Sequence, residues 1–407
     1  MPELRPFRGI RYSSREELAN LVCPPYDVIG AEEQQALHGR HENNAIRLEL
    51  AEPRPDQPNK YAHVGETLES WLEQGVLVPE DQPALYVYRQ DFVGPDGGRR
   101  RVVGVIGALT LEKFGTTTGV LPHERTMPGP KEDRLALMRA CKANISPIYA
   151  IYRGGGGVRP FLDSLEDRRP DARFADTAET LQRLWVITAP AEIATLTDAI
   201  APGPLVIADG HHRYETALAY HQENKEQSGD HDSIMCFCVD ADSEELVVLP
   251  YHRALRAEAP GALDGIKESF GGRDLDEEPA DALARSGSDH PLAVVMGKAR
   301  LLAEVSDEQV IAAVGERHPA WRSLDVVALH EVVIPQVFGE PEELRFSRES
   351  AEMIRLVESD GWTAAFLLRA LSAAQVVDVA SSGERMPQKA SYFWPKALTG
   401  LVFHSLR

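Results

Sequence analysis

The apolar residues of this chain follow two spacings, which together predict a mixture of strands and helices. Short apolar runs bounded by glycine, proline or polar residues predict strands. The predicted strands are 84–89, 102–111, 147–152, 205–207, 233–239, 245–249, 292–296 and 364–368. Apolar residues at helical spacing predict helices at 61–75, 131–142, 324–338, 348–359 and 373–380, and one more directly after Gly210. Strands 84–89 and 102–111, and strands 233–239 and 245–249, are predicted to form hairpins. The predicted fold class is α/β, with α+β mixed sheets.

The length of the chain predicts two domains. At 407 residues it exceeds what one hydrophobic core usually serves. Residues 254–290 are rich in Ala, Gly, Asp and Glu, and we place the domain boundary at the start of this stretch. The predicted domains are therefore 1–253 and 254–407.

Charge and composition narrow the classes of partner. The formal net charge is −20 and no basic helix-turn-helix region is present, so we expect no binding to nucleic acid. No apolar run approaches the roughly 20 residues of a membrane span, and the first residues lack the hydrophobic core of a signal peptide. We expect a cytoplasmic protein that acts on small molecules. The four cysteines have no zinc or CxxC spacing, so we predict buried free thiols at Cys23, Cys141, Cys236 and Cys238.

The segment 203–220 concentrates more chemistry than any other. A predicted strand runs into the five residues Asp209, Gly210, His211, His212 and Arg213, and a helix follows at once. The start of a helix carries N–H groups without intrahelical partners and the positive end of the helix dipole. With two imidazoles and a guanidinium beside it, such a turn is typical of a phosphate site. Asp209 is then placed to hold Mg²⁺ or to accept a proton from a hydroxyl nucleophile.

Each of these residues also has an ordinary structural explanation. In these explanations Asp209 is a cap on the helix and the histidines are surface residues. Arg213 is then the partner of Glu215 or of another carboxylate. Five such residues directly after a strand favour a site over these separate roles.

The run Asp-Gly-His-His-Arg resembles the phosphate-binding signature of the ParB/sulfiredoxin superfamily, and in this form it is most similar to the free L-serine kinases. The whole chain also resembles domain-of-unknown-function family 1015. The second resemblance is carried by CPPYDVIG (23–30), YVYRQ (86–90), GVLPHERTMPGPKEDRLALMRACKANISPIY (119–149), ADGHHRYETA (208–217), LPYHRAL (249–255) and MPQKASYFWPKALTGL (386–401). Together they imply a ParB/sulfiredoxin-like phosphate-binding domain in residues 1–253.

The stretch 122–124 is similar to the segment that supplies a catalytic glutamate in the free serine kinases. The resemblance implies that Glu124 is the general base that deprotonates the substrate hydroxyl, with His123 in the substrate pocket. A hydroxyl that attacks a phosphoryl group needs such a carboxylate, together with Mg²⁺ and cations that stabilise the developing charge. The mechanism requires Glu124 and Asp209 to meet. The alternative is a surface carboxylate paired with Arg125 or Lys131.

Two further segments supply candidates for the same pocket. Lys131 and Arg134 lie near the start of a predicted helix and are candidate phosphate ligands, although a charged helix face is usually just solvated. Tyr26 and Asp27 follow a rigid Pro-Pro turn and are candidates for the pocket lining. The alternative for Asp27 is a cap on the helix that begins near Glu32.

The C-terminal half contributes two more groups of candidates. His252 and Arg253 follow a predicted strand and are assigned to the substrate pocket, although a structural hydrogen bond is the ordinary role of a lone histidine such as His252. The tail 386–401 carries three aromatic residues and two candidate phosphate ligands, Lys389 and Lys396. The tail either plugs the core or returns to cover a ligand. Its similarity to the tail of family 1015 implies the second role.

These residues lead to one preferred function and two alternatives. The preferred function is a Mg²⁺-dependent phosphotransferase that moves a phosphoryl group from ATP or ADP to the hydroxyl of a small metabolite, with free L-serine as the leading acceptor. The first alternative is a regulator that binds nucleotide or phosphate without turnover. The second is hydrolysis of a phosphoester at the same site.

Overall fold

The computed structural model describes residues 2–53, 61–115, 119–124 and 128–407. Contacts between Cα atoms group the chain into two compact units. Unit 1 comprises residues 1–122, 126–247 and 395–407, and unit 2 comprises 123–125 and 248–394. The domain boundary placed at 254 from composition stays a prediction.

The strands are numbered along the chain. Those of unit 1 are β1 (Leu4–Arg5), β2 (Gly9–Tyr12), β3 (Leu77–Pro79), β4 (Leu85–Val93), β5 (Arg99–Thr110), β6 (Val120–Pro122), β7 (Ala143–Asn144), β8 (Ile148–Tyr152), β9 (Ala172–Ala175), β10 (Leu181–Ile187), β11 (Leu205–Asp209) and β12 (Ser233–Asp240). Then follow β13 (Val247–Leu249), β14 (His252–Arg256), β15 (Arg273–Asp274), β16 (His290–Met296), β17 (Ala299–Val305), β18 (Glu343–Ser347), β19 (Ala364–Leu367), β20 (Tyr392–Trp394) and, again in unit 1, β21 (Phe403–Ser405).

The α-helices of unit 1 are α1 (Leu18–Leu21), α2 (Ala31–Arg40), α3 (Ile46–Glu49), α4 (Ala62–Glu73), α5 (Pro128–Cys141), α6 (Arg159–Ser164), α7 (Pro190–Ile200) and α8 (His211–Asn224). Those of unit 2 are α9 (Ala262–Phe270), α10 (Pro279–Arg285), α11 (Asp307–Val314), α12 (Pro319–Arg322), α13 (Asp325–Val327), α14 (Ser350–Ser359) and α15 (Ala373–Ser381). Two 3₁₀ turns, Tyr26–Val28 and Leu165–Asp167, and a π-helix, Ala328–Phe338, complete the helical segments.

The main sheet of unit 1 has the strand order β6-β11-β8-β12-β5-β4-β10-β9, and β1 pairs with β5. Most neighbours are antiparallel, but β11 runs parallel to β6, and β12 parallel to β8. In the β6–β11 pair Pro122 lies opposite Ile207. Because parallel strands end at the same edge of a sheet, the residues after Pro122 and after Asp209 leave from one edge.

The core of unit 1 lies against this sheet and is closed by its helices. Alternate residues of the strands face it, among them Val87, Val105 and Ile207, and α8 contributes Tyr214 and Ala217. A smaller sheet of order β3-β2-β21-β7 brings the C-terminal strand into the same unit.

Unit 2 contains a six-stranded sheet of order β15-β17-β16-β19-β14-β18, in which the pairs are antiparallel. Its core packs Ala293, Val295 and Leu302 from the strands against Met353 and Leu356 of α14.

The mixed α/β class is confirmed, and the predicted strands and helices overlap observed ones, with ends that differ by a few residues. The hairpin predicted from 233–239 and 245–249 is wrong, because Val247–Leu249 shares a two-stranded sheet with Tyr392–Trp394. The helix predicted at 324–338 begins as α13 and continues as a π-helix. Pro335 lies inside this π-helix, where it has no N–H to donate to a regular α-helical bond. Within the described ranges, no helix is both long enough and apolar enough to cross a membrane.

Candidate functional site

The end of β11 places Asp209 at the edge of the main sheet of unit 1. Leu205, Val206 and Ile207 are fully buried, as their apolar character predicts, and the β-branched Val206 and Ile207 favour a strand. The register with β8 shifts between Ile207 and Asp209, which is the mark of a β-bulge or a similar irregularity. Such irregularities re-aim a side chain. Here the shift precedes the carboxylate that anchors the site.

Gly210 makes the turn from β11 into α8. Its φ of +88° lies in the left-handed region, which glycine adopts without the penalty other residues incur. A Cβ at this position would also come within 3.0 Å of Arg213 Nε and of Ile148 Cγ2. Both reasons make the turn specific for glycine. The predicted alternative that Asp209 caps the helix is wrong, because Gly210 is the N-cap and no side chain caps it.

Two buried cations share the carboxylate of Asp209. Arg213 Nη2 donates to Oδ2 at 2.7 Å, and Lys396 Nζ donates to Oδ1. The side chains of Asp209, Arg213 and Lys396 are only 16%, 9% and 8% exposed. Burial by itself would raise the pKa of Asp209, but Lys396 and Arg213 outweigh it and lower that pKa to about 2. Asp209 is therefore ionised at neutral pH and locks both cations at the start of α8.

The guanidinium of Arg213 makes further hydrogen bonds within unit 1. Its Nη1 donates to Pro147 O and, at 3.2 Å, to Ser146 Oγ. Ser146 in turn donates to Oε1 of the fully buried Glu49 at 3.0 Å. Burial would lower the pKa of Arg213, but Asp209, followed by Asp27 and Glu49, raises it above the ordinary value. Arg213 thus holds the turn in place, and Lys396 is the cation that shares Asp209 with it.

Tyr26 and Arg134 belong to the same network. The backbone N–H of Tyr26 donates to Glu49 Oε1 at 3.1 Å, and the Arg134 guanidinium lies 4.2 Å from the centre of the Tyr26 ring. Arg134 is buried and also donates to Glu49 O and to Asp133. The sequence-predicted Tyr26, Arg134, Arg213 and Lys396 are therefore linked through hydrogen bonds and ring contacts in unit 1.

The remaining predicted residues of unit 1 surround this network. His211 is buried close enough to help lower the pKa of Asp209, and His212 is half-buried. Lys131 pairs with Glu215 at 2.8 Å. Asp27 is exposed and does not cap α2, whose N-cap is Gly30.

In unit 2, Glu124 is held by the backbone of the tail. The Lys389 N–H donates to Glu124 Oε1 at 3.0 Å, and Lys389 adopts φ +56°. Arg253 is fully buried and donates to the carbonyls of Gln388 and Lys389 at 3.1 and 2.9 Å. Burial lowers the pKa of Arg253 to about 9, so its guanidinium remains charged at neutral pH. Arg253 fixes the backbone that orients Glu124, while the Lys389 Nζ lies 5.4 Å from the centre of the Tyr251 ring.

The two predicted histidines of unit 2 are buried and hydrogen-bonded. His123 Nε2 shares a hydrogen bond of 3.0 Å with Ser391 Oγ. His252 Nδ1 accepts from the backbone N–H of Leu368 at 3.2 Å. Burial, reinforced by Arg253, lowers the pKa of His252 to about 4, so the ring is neutral. The structural hydrogen bond expected for a lone histidine at His252 is present.

Sequence reasoning missed several partners of these groups. Glu49 and Ser146 complete the network of unit 1, and His330 accepts from Arg253 Nε at 3.2 Å in unit 2. Glu49 had one signal: it is an acidic residue between two leucines, Leu48 and Leu50. Arg125, the alternative partner of Glu124, lies outside the described residues.

The residues at the turn do not by themselves form a metal site. Both oxygens of Asp209 already accept from cations, and a divalent cation there would be repelled by Lys396 and Arg213. Among the residues that the structure describes, no group of three or more His, Cys, Asp or Glu side chains is arranged to hold a metal ion. A resident Mg²⁺ on Asp209 therefore does not fit the donor set.

Fold and site together define a mixed α/β protein with a cationic turn at the edge of its main sheet. The chain belongs to the family described as Protein of unknown function (DUF1015), whose model matches residues 4–327. No curated protein matches the sequence.

Several solved structures show a distant likeness. A conserved hypothetical protein from Pyrococcus furiosus is 15% identical, with 67% of this chain and 86% of that chain covered and a TM-score of 0.33. A free serine kinase in complex with AMP is 13% identical, with coverages of 67% and 83% and a TM-score of 0.35. SbnI from Staphylococcus aureus, with a C-terminal truncation, is 10% identical, with coverages of 72% and 85% and a TM-score of 0.38. TM-scores of this size do not establish a shared fold or activity.

Proposed function

We propose that this protein is a phosphotransferase that moves a phosphoryl group from ATP or ADP to the hydroxyl of a small metabolite, with free L-serine as the leading acceptor. The observation that carries the proposal is the pair of buried cations, Lys396 and Arg213, that share Asp209 at the start of α8. The chain as a whole has a net charge of −20, yet two cations lie at this one turn. Phosphate is the common ligand of such a place.

The proposal divides the roles among the residues of the turn. Gly210 lets a ligand approach the backbone closely, and the dipole of α8 favours a negative charge there. Lys396 and the imidazoles of His211 and His212 are the proposed phosphate contacts. Arg213 acts through Asp209, which it fixes against Lys396.

The other predicted contacts stay predictions within the proposal. Lys131 and Arg134 stay predictions as phosphate ligands, since each already pairs with a carboxylate. Lys389, His252 and Arg253 stay predictions for unit 2. The general-base role of Glu124 rests on the sequence resemblance.

Mg²⁺ enters the proposal with the nucleotide rather than as a resident ion. It commonly binds through substrate phosphates with few protein ligands, and its charge stabilises the phosphoryl oxygens. The chain's own contribution is to bind and orient the phosphates.

One observation favours the alternative, a nucleotide-binding regulator without turnover. Both oxygens of Asp209 are engaged by cations, so this carboxylate is poorly placed to take a proton from a hydroxyl. A regulator needs only the phosphate contacts and no base.

Incubation of the purified protein with Mg²⁺, ATP or ADP and a panel of hydroxyl metabolites including L-serine distinguishes the candidates. The phosphotransferase gives a phosphorylated acceptor, seen by mass, only when the acceptor is present. Saturable nucleotide binding without product supports the regulator and overturns the phosphotransferase. Nucleotide loss that is independent of any acceptor indicates hydrolysis instead.

A further inference from the structure

Unit 1 contains a cavity at the opposite edge of the main sheet from Gly210. Asp209 lies beside Tyr149 at the start of β8, whereas the cavity borders the tetraglycine turn 154–157 that follows the end of β8. Its volume is about 290 Å³, enough for a small organic molecule. The phosphate contacts proposed above do not line it.

The floor of the cavity is apolar. Val87 of β4 lies opposite Trp185 of β10 in the antiparallel register. Val103 of β5 lies two pairs further along, opposite Arg89. Val158 and Leu162 close the floor from the segment around α6. The indole N–H of Trp185 donates to Arg168 O at 2.9 Å, so its hydrogen-bonding need is met outside the cavity. An apolar body is therefore the part of a ligand that this floor accommodates.

One wall of the cavity is a chain of ion pairs in which carboxylates already neutralise the arginines. Arg89 pairs with Asp91 and with Glu166. Arg101 pairs with Glu166 and with Glu245, each at 3.0 Å. Each guanidinium thus lies between two carboxylates, and this wall offers little net attraction to an anion.

The rest of the lining, formed by the glycine turn and its neighbours, is acidic. Asp240 accepts from the Gly156 N–H at 3.2 Å and from the Asp242 N–H at 3.0 Å, which ties the turn to the end of β12. Asp163 and Asp242 are exposed carboxylates in the same lining, where Arg159 is the cation on this side. The lining groups outside the ion-pair chain therefore carry more negative than positive charge.

We propose that this cavity binds a small organic cation with an apolar body, of the arylalkylamine or alkylamine class. The body packs on Val87, Val103 and Trp185, and the ammonium group faces Asp163 and Asp242. This site is independent of the phosphate site at Gly210.

The test compares two probes of nearly equal shape and opposite charge, phenethylamine and 3-phenylpropionate. Each probe is titrated into the full chain, and binding is followed by the NMR signal of the Trp185 indole. We expect saturable binding of phenethylamine with a dissociation constant of about 1 mM, as befits so few atoms, and binding of the carboxylate at least about tenfold weaker. Equal affinity for both probes, stronger binding of the carboxylate, or no saturable binding of either overturns the proposal.

Two variants locate the binding. Asp163→Asn/Asp242→Asn removes two carboxylates that accept no backbone hydrogen bond in the contacts above, and it is expected to weaken phenethylamine about tenfold. The matched control, Asp264→Asn/Asp281→Asn, neutralises two exposed carboxylates of unit 2 and leaves the affinity unchanged.

Leu162→Trp fills the cavity and is expected to abolish binding. Ile311→Trp places the same side chain at an exposed position of α11 and serves as its control. Unchanged binding in both the asparagine pair and Leu162→Trp places the probe elsewhere and overturns the proposal.

Discussion

Asp209→Asn is expected to lower the free energy of unfolding by about 3–5 kcal/mol, because it leaves two buried cations without their carboxylate. Denaturant titration of the variant measures the loss. The matched control is Asp232→Asn, which breaks an exposed ion pair with Arg5 and is expected to cost at most about 1 kcal/mol. Adding Lys396→Met to Asp209→Asn should recover part of the loss, since the two side chains are coupled.

The interactions of Asp209 with Arg213 and Lys396 also make the free energy of unfolding depend on pH in a defined direction. The pKa of Asp209 is lowered from 3.8 to about 2 in the folded state. A lowered carboxyl pKa stabilises the fold above the unfolded pKa, and this stabilisation is lost as pH falls from about 4 towards 2. The contribution is about 2 kcal/mol. Asp209→Asn should lack this component of the pH dependence. A stability loss below about 1 kcal/mol, or an unchanged acid profile, contradicts the buried triad.

Glu124→Gln is expected to lower turnover by about 10²–10⁴-fold while nucleotide affinity changes by less than about twofold. The amide retains an oxygen to accept from the Lys389 N–H, so the local fold is preserved, but it cannot take a proton from the acceptor hydroxyl. Product formation by mass and nucleotide titration on the same preparation separate the two effects.

The control for this prediction is Glu342→Gln, which changes an exposed carboxylate of unit 2 and is expected to leave turnover unchanged. Product formation by Glu124→Gln at the wild-type rate refutes the base assignment but leaves the phosphate site standing. Equal loss of nucleotide binding and turnover shows instead that Glu124 acts in binding.

The sequence predicted the elements of the site better than its connections. The apolar run 205–207, the glycine and the helical repeat after it determine a strand, a turn and a helix locally, and all three are present. Lys396 and Asp209 are 187 residues apart in the sequence, and no local pattern predicts that they pair. The only sequence signal for this pair was a lysine in a tail that resembles the tail of family 1015.

The same distinction explains why the predicted hairpin is wrong. The short connection between 233–239 and 245–249 predicts a hairpin, yet Val247–Leu249 shares a sheet with Tyr392–Trp394. Strand propensity identifies an extended segment but not its partner. Arg213 is predicted as a phosphate ligand from its charge and from the resemblance, and this stays a prediction. Its hydrogen bonds to Asp209, Ser146 and Pro147 are tertiary contacts and favour a positioning role.

Calorimetric titration of the wild-type chain with ADP and with adenosine in Mg²⁺ shows whether the turn at Gly210 binds phosphate. We expect ADP to bind at least about tenfold more tightly than adenosine, and Lys396→Met to remove most of this difference. Lys225→Met, at the far end of α8, should retain the difference. Equal affinity for ADP and adenosine, or a Lys396→Met variant that still prefers ADP as the wild type does, contradicts the claim.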